Sequence, residues 1–235
     1  MIFENDPLGA AIWDFKNGAA TPNITVESDL CDDDVIPVEY LFRTEEEMPE
    51  LELTALEKVK GRVLDVGAGA GCHSKVLVEK GYDVTALDTS KGACDYLESL
   101  HISNVNKSIE NYQEEKYDTI LVLMNGLGLA GTKSNLPFFL SHLKSLLNPG
   151  GQIIADSADI SYLFEDEEGG LWVDLNAQYY GEMKFNMKYK DQESGWFDWV
   201  YVDQEAAIIA GESAGLKADI ISEGPNMNYL IKYSL

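Results

Sequence analysis

The chain has 235 residues, which is enough for one domain or for one domain with an insertion. Its 41 acidic residues against 17 lysines and arginines give a formal net charge of −24. This charge argues against a nucleic-acid partner, which needs a basic surface to displace the counterions of its phosphates, and no apolar run reaches the roughly 18 residues that indicate a membrane span.

The first 60 residues are predicted to form an N-terminal arm and a helix that pack on the core. Proline and glycine interrupt residues 1–44, but aromatic residues are too frequent there for a disordered segment. Thr44 and Glu47 have the spacing of a capping box. This spacing predicts an amphipathic helix that runs with breaks to about Lys60, with Pro49 in its first turns.

The cysteines and the N-terminus indicate the cellular compartment. Cys31, Cys72 and Cys94 stand at unrelated spacings that match neither a disulfide framework nor a zinc site, so we expect no metal. The N-terminal residues lack the basic region and apolar core of a secretion signal. We therefore expect the protein in the reducing cytoplasm. The acidity favours high solubility or a salt-rich habitat, and attraction of a cationic substrate is the alternative.

Residues 61–156 alternate between apolar strands and amphipathic helices. This βαβ rhythm predicts a doubly wound parallel sheet. The predicted strands are Val63–Val66, Tyr82–Leu87, Val105–Lys107, Tyr117–Met124 and Gln152–Asp156, and the predicted helices are Cys72–Lys80, Ser90–Leu100 and Leu136–Leu147.

The rhythm changes in residues 157–202, where Gly181–Lys190 and Trp196–Val202 predict a β-hairpin. We interpret this segment as an inserted hairpin lid. Residues 203–235 then return to the pattern of the core, with a helix and two final strands. The predicted core domain therefore consists of residues 61–156 together with 203–235.

A glycine-spaced turn follows the first core strand. Gly67, Gly69 and Gly71 remove three β-carbons and allow a ligand to lie on the main chain. The next helix presents free N–H groups to such a ligand. A dinucleotide-binding turn has its third glycine one residue later, where this chain has Cys72. Asp88, at the end of the next strand, stands at the distance of a carboxylate that binds a ribose.

An aspartate in the strand before three alternating glycines resembles motif I of the class I S-adenosylmethionine-dependent methyltransferases. The resemblance implies a doubly wound α/β fold with a mostly parallel seven-stranded sheet and an antiparallel last strand. It also implies S-adenosylmethionine as the cofactor. The cofactor-binding residues that it implies are Asp65, Gly67, Ala68, Gly69, Gly71, Asp88, Thr89, Ser108, Ile109 and Asn125.

Some of these residues have more than one possible role. Asp65 either binds the ammonium group of the cofactor or caps the turn. Ser108 replaces the acid that the family often has near the adenine, while Ile109 can still pack on that ring. Asn125 matches the position near the transferable methyl group, or it is a turn residue. The weak catalytic candidates are His73, Asn125 and Tyr40, and for His73 an orienting or packing role is favoured over that of a base.

The resemblance predicts methyl transfer to a small-molecule acceptor by in-line displacement. The arm and the insertion can cover the carboxyl ends of the strands, where ligands bind in such sheets. Candidate walls of the acceptor site are Tyr40, Tyr179, Tyr180, Trp196 and Trp199. The alternatives are a protein methyltransferase, a nicotinamide-dependent oxidoreductase and a non-catalytic cofactor-binding module. The oligomeric state is left open.

Overall fold

The computed structural model describes residues 5–20, 22–164 and 179–235. Residues 1–4 and 21 of the predicted arm and residues 165–178 of the predicted lid lie outside the described residues. The strands are β1 Asn23–Ser28, β2 Asp34–Pro37, β3 Val63–Val66, β4 Val84–Asp88, β5 Asn104–Asn106, β6 Tyr117–Val122, β7 Leu147–Ala158, β8 Glu182–Tyr189, β9 Gln192–Glu193, β10 Phe197–Val200, β11 Lys217–Glu223 and β12 Asn228–Ser234. The α-helices are α1 Pro7–Lys16, α2 Glu50–Glu57, α3 Cys72–Glu79, α4 Lys91–Ser99, α5 Leu136–Ser145 and α6 Gln204–Ser213.

The main sheet has seven strands in the order β11-β12-β7-β6-β3-β4-β5. Strands β3 to β7 pair in parallel. The last strand, β12, is inserted antiparallel between β7 and β11. The α/β fold class, the mostly parallel seven-stranded sheet and the antiparallel last strand are therefore confirmed.

Both faces of this sheet are covered, which explains the continuous apolar run in β6. Ile120 packs in a cluster with residues of α5 and α6. Its neighbour Leu121 points to the other face and packs with residues of α2 and α3. Because β3, β4, β6 and β7 are parallel, their carboxyl ends form one edge, and the glycine turn follows β3 at that edge.

A second sheet joins the N-terminal arm to the insertion. Its strand order is β10-β8-β1-β2, and β9 pairs with the end of β8. The predicted hairpin is confirmed, since β8 and β10 are antiparallel neighbours. The pairing of β1 with β8 connects segments that are about 160 residues apart, as in the partners Val26 and Met187. No local sequence pattern predicts the pairing of two strands that are so far apart in the chain.

The helix before β3 differs from the prediction. The capping box of Thr44 and Glu47 is present, but it caps the N-terminus of a separate short 3₁₀-helix, Glu45–Glu47. Pro49 is the N-cap of α2 and lies outside its first turn. A break was predicted, but the predicted position of Pro49 in the first turns was wrong, because the residue before a proline is driven out of the helical region. Met48 accordingly has an extended ψ of 140°.

The described part of the chain contains no helix with the length and apolar character that crossing a membrane requires.

Candidate active site

The glycine loop, residues 67–71, leaves an open groove above the main chain. Gly67 and Gly69 have φ values of +73° and +55°, and a β-carbon at either position would meet no atom within 4 Å. Gly71 differs, because its β-carbon would lie 2.4 Å from Leu97 Cδ2. The first two glycines therefore keep the groove open. The third lets the start of α3 lie close to α4.

The loop is fixed to the strands and helix around it. Asp65 is buried and accepts a 2.6 Å hydrogen bond from the hydroxyl of Ser74 in the first turn of α3. Ala68 is buried, and its N–H donates to the carbonyl of Leu87. The N-cap of α3, Gly71, provides no side-chain cap. The first N–H groups of α3 therefore remain open to a polar ligand.

Asp88 closes one side of the groove. Its Oδ2 accepts the N–H of Gly69 and its Oδ1 accepts the N–H of Ser90, each at 2.8 Å. Burial raises the pKa of the Asp88 carboxyl, while these two bonds oppose the rise. An ionised carboxylate offers about four lone-pair positions. Two therefore remain for a pair of ligand hydroxyls.

The three residues predicted near the adenine lie along the same edge. Thr89 is exposed directly after β4. Ser108 is the N-cap of a short 3₁₀-helix, and its hydroxyl accepts from the side chain of Asn111. Ile109 is buried, and its carbonyl lies 2.8 Å from Nε2 of His142. His142 thus supports this side of the site.

Asn125 occupies a strained turn after β6. Met124 and Asn125 have φ values of +67° and +57°, which non-glycine residues rarely adopt. The turn is held by Asp156 near the end of β7. Its Oδ1 accepts the N–H of Gly126 at 3.1 Å. Such strain is characteristic of functional sites. Asn125 is both a turn residue and a wall of the cavity described below.

A buried ion cluster of Arg43, Glu52 and His73 links the N-terminal segment to α3. Oε2 of Glu52 lies 2.6 Å from Nη2 of Arg43 and 2.7 Å from Nε2 of His73. Burial alone lowers the pKa of His73, but the neighbouring Cys72 and Glu52 side chains outweigh it and raise that pKa to about 10. A group that stays protonated at neutral pH fits the orienting role of His73 better than that of a base.

Tyr40, the third catalytic candidate, is tied to the ion cluster. The guanidinium of Arg43 stacks 4.1 Å from the centroid of the Tyr40 ring. Arg43 also donates a 2.5 Å hydrogen bond to the Tyr40 carbonyl. Burial raises the pKa of the Tyr40 hydroxyl, and the charges of Glu52, Cys72 and Asp156 also raise it.

A cavity of about 510 Å³ lies between the second sheet and the carboxyl ends of β6 and β7. We call it the acceptor cavity. Its walls combine carboxylates, aromatic rings and aliphatic side chains. The lining residues are Val26, Ser28, Cys31, Asp32, Asp33, Asp34, Asn125, Ala158, Ile160, Tyr162, Leu163, Met183, Phe185, Tyr201, Asn226 and Asn228.

The predicted aromatic walls lie elsewhere, and Tyr162, Phe185 and Tyr201 provide the rings of the cavity. The hydroxyls of Tyr179 and Tyr180 are bonded to Asp203 and Asp159, respectively. Trp199 packs on Gly128, where a β-carbon would lie 2.1 Å from its ring. Trp196 is exposed.

Sequence reasoning missed several residues of this region. Glu52 had a signal, because it shares a helical face with the apolar Ala55 and Leu56, and a buried acid needs a partner. Asp156 also had a sequence signal, because it ends a predicted apolar strand as Asp88 does. No local sequence signal indicates that Arg43 lies next to α3. In the described ranges, no group of three or more histidine, cysteine or acidic side chains is arranged to hold a metal ion.

Comparison with known proteins identifies the family. A family described as a methyltransferase domain matches residues 40–200. A solved structure described as an S-adenosylmethionine-dependent methyltransferase from Bacteroides fragilis, in complex with S-adenosyl-L-homocysteine, is 40% identical. The match covers 100% of this chain and 97% of that chain, with a TM-score of 0.92. This chain belongs to the S-adenosylmethionine-dependent methyltransferase family.

More distant matches include a curated protein and a solved structure. Human glycine N-methyltransferase is 24% identical over 124 residues, or 43% of this chain, and the match spans only 42% of the length of that relative. A sugar N-methyltransferase from Streptoalloteichus is 14% identical, with 83% of this chain and 91% of that chain covered and a TM-score of 0.58. The predicted family, enzyme class and cofactor are confirmed. The oxidoreductase alternative is therefore set aside.

The residues of the site suit this cofactor. Gly67 and Gly69 leave a cradle that a β-carbon would fill. Asp88 keeps acceptor positions for two ribose hydroxyls. The uncapped start of α3 can receive a carboxylate or another polar group.

Substitution can separate the role of a glycine in the backbone turn from its role in leaving space for the cofactor. Gly69 and Gly150 both have positive φ values and open space around the missing β-carbon, but Gly150 lies in the turn near the start of β7. We expect Gly69→Ala and Gly150→Ala each to lose about 1–2 kcal/mol of unfolding free energy through backbone strain. Only Gly69→Ala should lose affinity for S-adenosylhomocysteine, by at least tenfold in calorimetry. Equal affinity of the two variants would refute the cradle.

Proposed function

We propose that this methyltransferase transfers the methyl group of S-adenosylmethionine to a small molecule bound in the acceptor cavity, by in-line displacement. The observation that carries the proposal is the position of Asn125. This residue lines the cavity and follows β6, the direct neighbour of the strand that leads into the glycine loop. An acceptor in the cavity and a cofactor in the groove would therefore meet at one edge of the sheet.

The chain contributes mainly by positioning. When bound, the cofactor supplies an activated methyl group on its sulfonium. Asp88 would bind its ribose hydroxyls, and the main chain at Gly67 and Gly69 would hold it from below. Thr89, Ser108 and Ile109 would hold the adenine part, and Asp65 and Asn125 would hold the methionine part. Fixing the two reactants in one geometry can lower the barrier by roughly 7–11 kcal/mol.

The second sheet forms one wall of the acceptor cavity. Strands β1 and β8 each contribute residues to the cavity wall, such as Val26 and Met183. Both strands are internal members of the second sheet, so the wall is backed by a continuous hydrogen-bond ladder. A cavity of about 510 Å³ is in the range of small-molecule sites. A folded protein acceptor would have to extend a side chain into it.

Two measurements test the proposal. We expect calorimetry to detect S-adenosylhomocysteine binding, and we expect isotope-labelled S-adenosylmethionine to label members of a small-molecule panel. The same reaction with intact proteins of a lysate should give no labelled protein band. Label that appears only on protein would favour the protein-methyltransferase alternative. Cofactor binding with no transfer to either class would favour the non-catalytic module.

A further inference from the structure

We propose that Asp156 binds the acceptor nitrogen and takes its proton, which makes the acceptor of this enzyme an amine. The proposal rests on the function proposed above and deepens it. It starts from the position of Asp156 on the edge of the sheet. Ala155 of β7 pairs with Val122 of β6, so Asp156 stands level with the end of β6, where the Asn125 turn begins.

The Asp156 side chain lies on the face of β7 that reaches the acceptor cavity. Side chains along a strand alternate between faces, so Asp156 and Ala158 share one face. Ala158 lines the cavity. The Asp156 side chain is only partly exposed, and its Oδ1 is oriented by the N–H of Gly126. The carboxylate is therefore held beside the Asn125 turn, on the face of β7 whose residue Ala158 lines the cavity.

No cation of the described residues forms a direct ion pair with this carboxylate. Among the residues that the structure describes, none of the ion pairs within 4.0 Å involves Asp156. The titratable groups around it are Glu52 on α2, His73 on α3, Tyr40 and Tyr201. Burial raises the pKa of the Asp156 carboxyl to about 6, and the charge of Glu52 adds to the rise. The N–H groups of Gly126 and Asn125 and the charge of His73 oppose it.

An ammonium ion is the ligand that completes this arrangement. It supplies a positive charge in direct contact with the carboxylate and can donate a charge-assisted hydrogen bond to it. The cavity also carries Asp34 and the rings of Tyr162 and Tyr201, which attract cations. An alcohol, in contrast, brings no charge, and a carboxylate is too weak a base to ionise it.

The proton balance of the step is complete. The ammonium group gives one proton to the Asp156 carboxylate, which leaves a neutral amine with a free electron pair. That pair forms the new N–C bond as the C–S bond breaks, and the sulfur keeps the electrons of the broken bond. Asp156 later releases its proton to solvent.

The test compares an amine with its neutral counterpart in the protein bound to S-adenosylhomocysteine. We would measure 2-phenylethylamine and 2-phenylethanol by calorimetry at pH 8. We expect the wild type to prefer the amine at least tenfold and Asp156→Asn to abolish that preference. Asp191→Asn, which removes an exposed carboxylate in the hairpin turn outside the cavity, should keep it.

The pH dependence gives a second readout on the wild type. Amine affinity should fall as the pH is lowered through about 6, because Asp156 becomes protonated. Binding of the amine should in turn lower the pKa of the Asp156 carboxyl, followed by carbon NMR. Cofactor-product affinity and the thermal midpoint of Asp156→Asn would verify that this variant is folded.

The outcomes separate this proposal from the proposed function. An unchanged amine preference in Asp156→Asn, equal binding of the alcohol, or no binding of the amine by the wild type would overturn the role of Asp156. Methyl transfer to another class of small molecule would still uphold the proposed function. Absence of S-adenosylhomocysteine binding would remove the proposed function itself.

Discussion

Replacing Asp88 by alanine is expected to weaken S-adenosylhomocysteine binding by roughly 10- to 150-fold, as measured by calorimetry. The estimate follows from the loss of charge-assisted hydrogen bonds to the ribose, worth about 1.5–3 kcal/mol. The carboxylate is well placed for them, because Gly69 and Ser90 orient both oxygens and leave two acceptor positions. The Asp88→Ala variant also loses the bond that shapes the glycine loop.

A matched control distinguishes binding from stability. Asp118 likewise holds one backbone N–H, that of Arg62, and one side chain, that of Asn148. It lies at the start of β6, at the opposite edge of the sheet. Asp118→Ala should therefore lose stability without losing cofactor affinity. A folded Asp88→Ala protein with wild-type affinity would refute the ribose role.

The core of the fold was predictable because its signals are local. Each parallel strand is recognisable in the sequence as a short apolar run. The glycine loop is recognisable because its glycines directly precede a helix. Val63–Val66 matches β3 at both ends. The second sheet was not predictable as a unit, since β1 pairs with β8 across most of the chain. Hairpins have local turn signals, whereas such long-range pairings have none.

The residues of the site also fall into a group that the sequence could predict and a group that it could not. Asp88 and the glycines follow from spacing within one βαβ unit. The acceptor cavity does not, because its rings come from Tyr162, Phe185 and Tyr201, which only the tertiary fold brings together. Isolated aromatic residues in the sequence look alike whether they line a cavity or pack a hairpin. Trp199, which packs on Gly128, shows the second case.

Removing the charge of Glu52 is expected to destabilise the protein by about 3–5 kcal/mol in urea unfolding at pH 7. The side chains of Glu52, Arg43 and His73 are each 3–7% exposed. In Glu52→Gln, the two nitrogens of Arg43 and His73 that lie 3.5 Å apart lose the carboxylate between them. Two cations then face each other in a region with little water to screen them.

Two comparison variants define the origin of the loss. Glu45 pairs with Lys80 at the surface, where both side chains are about 40% exposed. Glu45→Gln should therefore cost less than about 1 kcal/mol. The double variant Arg43→Gln with Glu52→Gln should be more stable than Glu52→Gln alone, because one of the two stranded cations is gone. A double variant that is even less stable would contradict this account.

The pH dependence of stability gives the sharpest test of the cluster. Because the folded-state pKa of His73 is raised to about 10, its contribution is fully present below its unfolded pKa, near 6.5, and is lost as the pH rises towards 10. The wild type should therefore become less stable between pH 7 and pH 9.5. Glu52→Gln removes a partner that keeps His73 charged, so its unfolding free energy should change less over this interval. An equal slope in both proteins would mean that Glu52 does not hold the proton on His73.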